Sequence, residues 1–336
     1  MKAMLLRELG AIHAGRGPLE YTEIPDPVPG RQDVLIRVTA CGVCHTELDE
    51  IEGRTPPPRL PVVPGHQVVG TIEAGGKIGQ RVGVAWIHSA CGNCAYCKSG
   101  NENLCAEFMA TGRDVNGGYA PYMTVGARFV HPLPEALSDA EAAPLLCAGA
   151  VGFRALRLTN LRDGAALGLF GFGASNHLVL KTARHKYPHS NILVFSRNPQ
   201  ERALALELGA AWAGAIEDIP PEPLEAAIDA TPAWLPIIHA LKHLTPGGRL
   251  VINAIRKEEG DKSELLKLDF ASHLWLEKEI KSVANVARQD VREFLELAAG
   301  AGIRPEYQEY ELKDANRALL ELKQGRIRGA KVLRVP

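Results

Sequence analysis

The sequence lacks any apolar run long enough to cross a membrane. None of its hydrophobic stretches approaches the roughly 20 residues that a bilayer-spanning helix needs. The apolar run in the N-terminal segment MKAMLLRELG is much shorter than the core of an export signal, and charged residues interrupt it. The chain has only seven cysteines. Without an export signal we expect them to be thiols, which predicts a cytoplasmic protein.

An excess of charge of one sign is also missing. Lys and Arg together number 38 and Asp and Glu 39, the net charge is −1, and no basic run stands out. We therefore expect neither nucleic acid nor an anionic membrane surface as a partner. Hydrophobic residues at 46% and charged residues at 23% are typical of a globular protein. At 336 residues the chain is longer than one ordinary domain, so we expect two.

The composition and the hydrophobic pattern of the sequence change near residue 150. Before it, short β-type runs alternate with Gly- and Pro-rich turns, which predicts an irregular β-rich domain. After it, apolar strands alternate with helices, which predicts an α/β domain with a doubly wound parallel sheet. The predicted strands lie at 166–170, 192–195, 226–229 and 248–253, and the predicted helices between them at 177–187, 199–208 and 233–243. The tail is mixed, and no internal repeat or low-complexity segment is present.

Four of the seven cysteines lie within fifteen residues, in the segment CGNCAYCKSGNENLC. Their spacing, C-x2-C-x2-C-x7-C, is typical of four thiolates around a structural zinc ion. Disulfides would need an oxidising compartment, ferredoxin-type clusters use other spacings, and inert buried cysteines would not cluster in this way. The predicted ligands are Cys91, Cys94, Cys97 and Cys105.

A glycine-rich turn follows the first strand of the alternating region. Glycines at such a turn let a pyrophosphate approach the backbone at a helix N-terminus. The third glycine of the dinucleotide fingerprint is replaced by Asn176, and a Gly-rich turn alone is a weak signal. The strand before it and the helix after it nevertheless favour a dinucleotide site. The candidate contacts are Gly171, Gly173, Ala174, Ser175 and Asn176.

The second strand of this region ends in Phe-Ser-Arg-Asn, residues 195–198, without an acidic residue. Sites that prefer NAD place Asp or Glu there for the 2′-hydroxyl of the ribose, whereas an Arg can accommodate a 2′-phosphate. Ser196 and Arg197 therefore favour NADP(H) over NAD(H), and Arg202 is a further candidate contact. The alternative is that Arg197 is an ordinary solvated side chain.

A second metal site would need ligands from elsewhere in the chain. Candidates are Cys44 or Cys41, His66 and Cys147. Two thiolates, one imidazole and an open fourth position are typical of a catalytic zinc. The residues alone do not show that these side chains converge, and each could be an ordinary buried side chain.

Five segments in order, GVCHTELD, PGHQVVG, CGNCAYCKSGNENLC, APLLCAG and GFGASNH, give the chain an end-to-end resemblance to the zinc-dependent medium-chain alcohol dehydrogenases. The resemblance implies a GroES-like catalytic domain at 1–150 and 282–336 and a Rossmann domain at 151–281. It implies reversible hydride transfer between NADP(H) and a primary or small secondary alcohol, or its aldehyde or ketone. It also implies a homo-oligomer, either a dimer or a tetramer.

The same resemblance implies roles for individual residues. Cys44, His66 and Cys147 would hold the catalytic zinc, making about two zinc ions per chain with the four-cysteine segment. The residues with other implied roles are Thr46 on the substrate hydroxyl, His45 on cofactor phosphate, Trp86 in the substrate pocket and Arg328 on the pyrophosphate.

Three positions depart from the family pattern. Asp49 stands where many members have the histidine that accepts the proton, and a carboxylic acid is ordinarily too acidic to be an ideal base near neutral pH. The relay could instead end in water or on His45. Gln67 replaces a glutamate near the zinc, which removes one negative charge there. Glu47 replaces the aspartate that orients the ligand histidine, and its longer side chain could serve the same purpose.

Three alternatives remain open. A zinc-free quinone or enone reductase of the same fold would not need the metal-ligand residues. A non-catalytic protein that binds NADPH and zinc would explain the changes at Gln67 and Asp49 as decay. An NAD(H)-preferring alcohol dehydrogenase would bind its cofactor without Arg197.

Overall fold

The computed structural model describes residues 1–15, 17–325 and 328–336. These residues form two compact units, which we call unit 1 (Met1–Ala150 with Val286–Pro336) and unit 2 (Val151–Asn285). Within the described ranges, no helix combines the length and the apolar character that crossing a bilayer requires.

The N-terminal part of unit 1 is built from short strands and short helices, because Gly and Pro residues interrupt its apolar runs. Its strands are β1 (Lys2–Leu6), β2 (Leu19–Glu23), β3 (Asp33–Val43), β4 (Gln67–Ala74), β5 (Arg81–Val84), β6 (Ile87–Ser89), β7 (Met109–Ala110), β8 (Tyr122–Gly126) and β9 (Val130–Pro132). Its helices are α1 (His45–Ile51), α2 (Ala95–Lys98) and α3 (Asp139–Pro144).

The middle of the chain alternates between strands and helices. Helix α4 (Ala150–Leu158) leads into unit 2, where the remaining elements are β10 (Leu167–Phe170), α5 (Asn176–Lys186), β11 (Ile192–Phe195), α6 (Pro199–Glu207), β12 (Trp212–Gly214), β13 (Leu224–Asp229), α7 (Leu235–His243), β14 (Leu244–Ile252) and β15 (Glu279–Ser282). The C-terminal part of unit 1 adds α8 (Arg288–Gly300), β16 (Tyr307–Glu311), α9 (Ala315–Lys323) and β17 (Ala330–Arg334).

Unit 1 is organised around a mixed sheet in the order β16-β17-β3-β4-β5-β9, with β8 also paired to β3. Strand β3 alternates between buried and less buried positions over its first half, with Val34, Ile36 and Val38 in the core. This is the period of two that places successive side chains on opposite faces of a sheet. The β-rich character predicted for this part of the chain is confirmed.

Unit 2 contains a parallel sheet in the order β12-β11-β10-β13-β14-β15. Strands β10 and β11 are buried at every position, so they show no alternation. Continuous apolar strands of this kind are typical of parallel sheets with both faces covered. The α/β class predicted from the sequence is confirmed.

Candidate metal and cofactor sites

The pairing of β3 with β4 brings the first two predicted zinc ligands together. The strands are antiparallel, and Gly42 lies opposite Gln67. Cys44 follows β3 and His66 precedes β4, so the two side chains leave the same end of the pair. The Sγ of Cys44 also caps α1 by accepting a hydrogen bond from the backbone N–H of Thr46 at 3.3 Å.

The third predicted ligand, Cys147, lies in a π-helical turn, Leu145–Gly149, that follows α3. Its Sγ lies 3.3 Å from Nε2 of His66, which lies 3.7 Å from the Sγ of Cys44. All three donor atoms lie within 4.8 Å of one another. Tetrahedral zinc with Zn–S of about 2.3 Å and Zn–N of about 2.0 Å separates S and N donors by about 3.5 Å. The geometry and chemistry of these donors therefore fit a zinc ion with an open fourth position.

The other nitrogen of the ligand histidine contacts a buried carboxylate. Nδ1 of His66 lies 2.5 Å from Oε1 of Glu47, and both side chains are fully buried. Glu47 Oε2 accepts the backbone N–H of Cys44 at 2.9 Å. Burial alone would raise the pKa of Glu47, but the charge of His66 and the hydrogen bond from it lower this pKa. The contact predicted from the sequence is present, and it directs Nε2 toward the two thiols.

Two further polar side chains are buried beside this group. Gln67 is 2% exposed and packs on Gly42, where an added Cβ would lie 2.5 Å from its Oε1. Glu50 lies one helical turn after Glu47 in α1, and its carboxylate has no hydrogen-bond partner among the described residues. Burial and the charge of Glu47 raise the pKa of Glu50 to about 8. Glu50 was not among the residues predicted from the sequence, although its i, i+3 spacing from Glu47 could have indicated it.

Asp49 has a partner that was not predicted from the sequence. Asp49 is buried, and its Oδ1 accepts a hydrogen bond from Nε of Arg54 at 2.5 Å. The carboxylate therefore forms an ion pair as well as standing at the position predicted for the proton acceptor. His45, the alternative end of the relay, is exposed, and Thr46 is half-buried.

Trp86 lies immediately before β6 and is half-buried. Its ring packs against Phe108, with the ring centroids 5.0 Å apart. Its role in a substrate pocket stays a prediction.

The four-cysteine segment forms a second group of donors. The Sγ atoms of Cys91 and Cys97 are 3.9 Å apart, and those of Cys91 and Cys105 are 3.5 Å apart. Adjacent sulfurs around tetrahedral zinc lie about 3.8 Å apart, so this group also fits the metal. Backbone N–H groups point at the sulfurs: hydrogen bonds from Asn93 and Cys94 lower the pKa of Cys91 to about 7.

An ion pair attaches this segment to the C-terminal part of unit 1. Oε1 of Glu102 accepts hydrogen bonds from the backbone N–H and the Nε of Arg288, at 2.9 and 2.7 Å. Arg288 is the first residue of α8, so the segment is held against the start of this helix.

The predicted dinucleotide loop lies between β10 and α5. Gly171 has a φ of +76°, which disfavours a side chain, and its N–H donates to the carbonyl of Phe195 at 2.8 Å. An added Cβ at Gly173 would meet no atom within 4 Å, so the backbone there is open to a ligand. Asn176, which replaces the third glycine, is fully buried and donates to the carbonyls of Phe170 and Gly171 at 3.1 and 2.8 Å.

The remaining residues of this loop, Ala174 and Ser175, are half-buried. The hydroxyl of Ser175 accepts a hydrogen bond from Nδ2 of Asn253, which follows β14, at 3.0 Å. This contact ties the loop to a second strand end, and it was not predicted from the sequence.

The end of β11 differs from what its sequence indicated. Ser196 is 2% exposed, and its hydroxyl donates to Oε2 of Glu201 at 2.6 Å. Arg197 is exposed, and Nη1 of Arg202 donates to the carbonyl of Ser196 at 2.7 Å. The acidic residue at this position comes from the next helix, α6, and therefore does not appear in the sequence at the end of β11. Arg328, the last predicted cofactor contact, is exposed between α9 and β17 of unit 1, and its role stays a prediction.

Comparisons with known proteins identify the family. Residues 30–135 match the model of the alcohol dehydrogenase GroES-like domain. The chain is 42% identical to "Probable alcohol dehydrogenase AdhA" of Mycobacterium tuberculosis, over 99% of this chain and 97% of the relative. It is 31% identical to an alcohol dehydrogenase of Geobacillus stearothermophilus, over 100% and 99% of the two chains.

A solved structure agrees with these relatives. The cinnamyl alcohol dehydrogenase SbCAD4 of Sorghum bicolor is similar with a TM-score of 0.86 and 26% identity, over 99% of this chain and 97% of that one. The GroES-like and Rossmann fold predicted from the sequence is thereby confirmed. The chain therefore belongs to the medium-chain alcohol dehydrogenase family of oxidoreductases.

Proposed function

We propose that this chain is a zinc-dependent alcohol dehydrogenase, which transfers hydride between a small primary or secondary alcohol and a nicotinamide dinucleotide. The observation that carries the proposal is the group of Cys44, His66 and Cys147, whose three donor atoms lie within 4.8 Å. Three protein donors leave one position of a tetrahedral zinc open for substrate, which distinguishes a catalytic site from a structural one.

Bound zinc would supply a Lewis acid for the alcohol oxygen, and bound nicotinamide would supply the hydride acceptor. The protein side chains hold and orient these groups. Cys44 and Cys147 offer two thiolates, which compensate the charge of the metal. Glu47 holds the ring of His66 with Nε2 toward the thiols. Thr46, beside Cys44, would hydrogen-bond the substrate hydroxyl, as the family resemblance implies.

The proton of the alcohol would leave through the hydroxyl of Thr46. Asp49 is a poor proton acceptor in this arrangement because its carboxylate is paired with Arg54. The exposed ring of His45 offers a route to water on the same helix, α1. We therefore propose that the relay ends at His45 or directly in solvent.

Two residues would adjust the substrate site. The neutral amide of Gln67 replaces a carboxylate, so a metal beside it would be more electrophilic. Trp86, stabilised against Phe108, would restrict the pocket to compact substrates. Short alcohols and aldehydes are therefore the substrates to test first.

The other parts of the proposal are the expectations drawn from the sequence. The four-cysteine segment would hold a structural zinc, residues 151–281 would form the cofactor domain, and residues 1–150 with 282–336 the catalytic domain. The protein would be a dimer or tetramer. The sequence-based preference for NADP(H) rests on Ser196 and Arg197. The hydroxyl of Ser196 donates to Glu201, which leaves Arg197 as the support for that preference.

Metal analysis and turnover test the proposal. The purified protein should contain about two zinc ions per chain, and it should reduce short aldehydes with NADH or NADPH. Absence of zinc would point to the zinc-free reductases of this fold. Zinc and cofactor binding without turnover across the panel would instead identify a non-catalytic protein.

Two variants make the test specific. Thr46→Val removes the hydroxyl and should lower kcat about 100-fold, the usual contribution of a positioned proton-transfer group. Thr46→Ser keeps the hydroxyl and should retain most of the activity. Equal activity of both variants would remove Thr46 from the mechanism.

A further inference from the structure

The carboxylate of Glu201 occupies the end of strand β11. Its Oε2 accepts the hydroxyl of Ser196 at 2.6 Å and the backbone N–H of Phe172 at 3.2 Å. Phe172 stands between the two glycines of the dinucleotide loop. One oxygen of Glu201 thus joins the loop after β10 to the end of the neighbouring strand. Among the residues that the structure describes, no donor bonds the other oxygen, Oε1.

The start of α6 explains why this side chain turns back toward the sheet. Asn198 is the N-cap, and its side chain accepts the N–H of Gln200. Glu201 is therefore the third residue of the helix, where a carboxylate usually binds the N–H of the N-cap residue. Here the hydroxyl of Ser196 accepts that N–H, at 3.1 Å. Glu201 therefore does not bind the N-cap N–H and instead accepts a hydrogen bond from the hydroxyl of Ser196.

The carboxylate of Glu201 lies at the ends of two adjacent parallel strands, β10 and β11. Phe170, the last residue of β10, is paired with Phe195, the last residue of β11, and their rings stack at 4.2 Å. In doubly wound folds the pyrophosphate lies over the glycine loop and the adenosine ribose lies at the end of the second strand. A carboxylate there accepts the 2′-hydroxyl of the ribose.

We propose that Glu201 reads the 2′ position of the cofactor ribose, so that the chain prefers NAD(H) to NADP(H). The inference rests on the proposed dinucleotide site, and it replaces the preference drawn from Ser196 and Arg197. The acidic residue is supplied by helix α6 instead of strand β11. It lies five residues beyond the position where the sequence pattern places it.

The nearby arginines do not reverse the proposed preference for NAD(H). The guanidinium of Arg202 donates to the carbonyl of Ser196, and the side chain of Arg197 is exposed. A 2′-phosphate carries between about one and a half and two negative charges near neutral pH. The negative carboxylate of Glu201 would repel this phosphate and keep it from binding both arginines. A 2′-hydroxyl would instead donate a hydrogen bond to Oε1 of Glu201.

Binding of cofactor fragments tests the proposal without turnover or zinc. We would titrate the full-length zinc protein with ADP-ribose and with its 2′-phosphorylated form, using calorimetry. The wild-type protein should bind ADP-ribose at least about tenfold more tightly, since like charges disfavour the phosphate. Glu201→Gln keeps the shape and removes the charge, and it should reduce this ratio at least about tenfold.

Glu207→Gln is the matched control, because it makes the same change about 9 Å further along α6. Its ratio should equal that of the wild type. Tighter binding of the phosphorylated form by the wild-type protein would overturn the proposal, as would an unchanged ratio in a folded Glu201→Gln variant. If Glu201→Gln does not fold, the ratio of the two affinities in the wild-type protein tests the proposed preference.

The same titration separates this inference from the proposed function. Preferential binding of ADP-ribose in a protein without turnover would support the role of Glu201 and refute the enzyme. Turnover with tighter binding of the phosphorylated form would support the enzyme and refute the role of Glu201. Failure of both fragments to bind would overturn both.

Discussion

Replacement of His131 should reduce the sensitivity of the protein to acid. His131 lies in β9 of unit 1 and is 2% exposed. Its Nδ1 has no hydrogen-bond partner within the described residues. Burial, followed by the charges of Arg292 and Arg288, lowers the pKa of His131 from 6.5 to about 3. The imidazole is therefore neutral in the folded protein between about pH 6.5 and about pH 3, where a free histidine would be protonated.

The sign of the effect follows from proton binding. Between pH 6.5 and about 3, the unfolded chain binds a proton at His131 and the folded protein does not. The free energy of unfolding therefore falls as the pH falls through this range. At about pH 5, some 1.5 units below the ordinary pKa, this lowers the stability by about 2 kcal/mol.

Calorimetry of the wild type and of His131→Leu at about pH 7.5 and about pH 5 measures the effect. Leucine has a similar volume and does not titrate. The melting temperature of unit 1 should fall further in the wild type than in the variant, by roughly 4 to 8 °C for a unit of this size. The difference between the two pH values cancels the packing change, which affects the variant equally at both. Equal losses in the two proteins would refute the reasoning.

His189→Leu provides a control of opposite sign. His189 is exposed, and its hydrogen bond with Asp163 raises the pKa of the imidazole. Its small contribution to stability is present at low pH and is lost as the pH rises through the folded pKa. This variant should therefore lose stability more at about pH 5 than at about pH 7.5.

Two further predictions concern the metals. Glu47→Gln should weaken zinc binding by Cys44, His66 and Cys147 about 10- to 100-fold in competition with a chelator, because the ring of His66 loses its anionic partner. An unchanged affinity would show that Glu47 does not orient the ligand. Cys94→Ser should lower the zinc content from about two ions per chain to about one and destabilise unit 1, with Cys41→Ser as the control that retains both. Full zinc content in Cys94→Ser would contradict the assignment of the four-cysteine segment.

Local patterns were enough to predict much of the fold. The strand predicted at 192–195 has those bounds in the structure, and the helix predicted at 199–208 ends one residue earlier. Burial on both faces makes β10 and β11 continuously apolar, and this signal survives in a single sequence. The four cysteines at 91–105 are equally local, since their spacing alone brings four thiols into reach of one ion.

The sequence did not predict which side chains from neighbouring turns and helices contact the motif residues. Asp49 occupies a relay position in the pattern, yet Arg54, five residues later, binds its carboxylate. The second strand of unit 2 ends without an acid, yet Glu201 folds back from α6 into that place. Both contacts are made by residues that lie outside the motif, after α1 and in the first turn of α6, so the motif itself does not indicate them.

The sequence by itself determined the α/β class, the family and the residue types available for zinc and dinucleotide binding. It did so because apolar periodicity and ligand spacing are properties of short segments. Only the tertiary structure decided which side chains meet. The antiparallel register of β3 and β4 places Cys44 beside His66, a separate turn brings in Cys147, and the buried carboxylate of Glu47 contacts the ring of His66. These contacts depend on three-dimensional packing between segments that are distant in the chain.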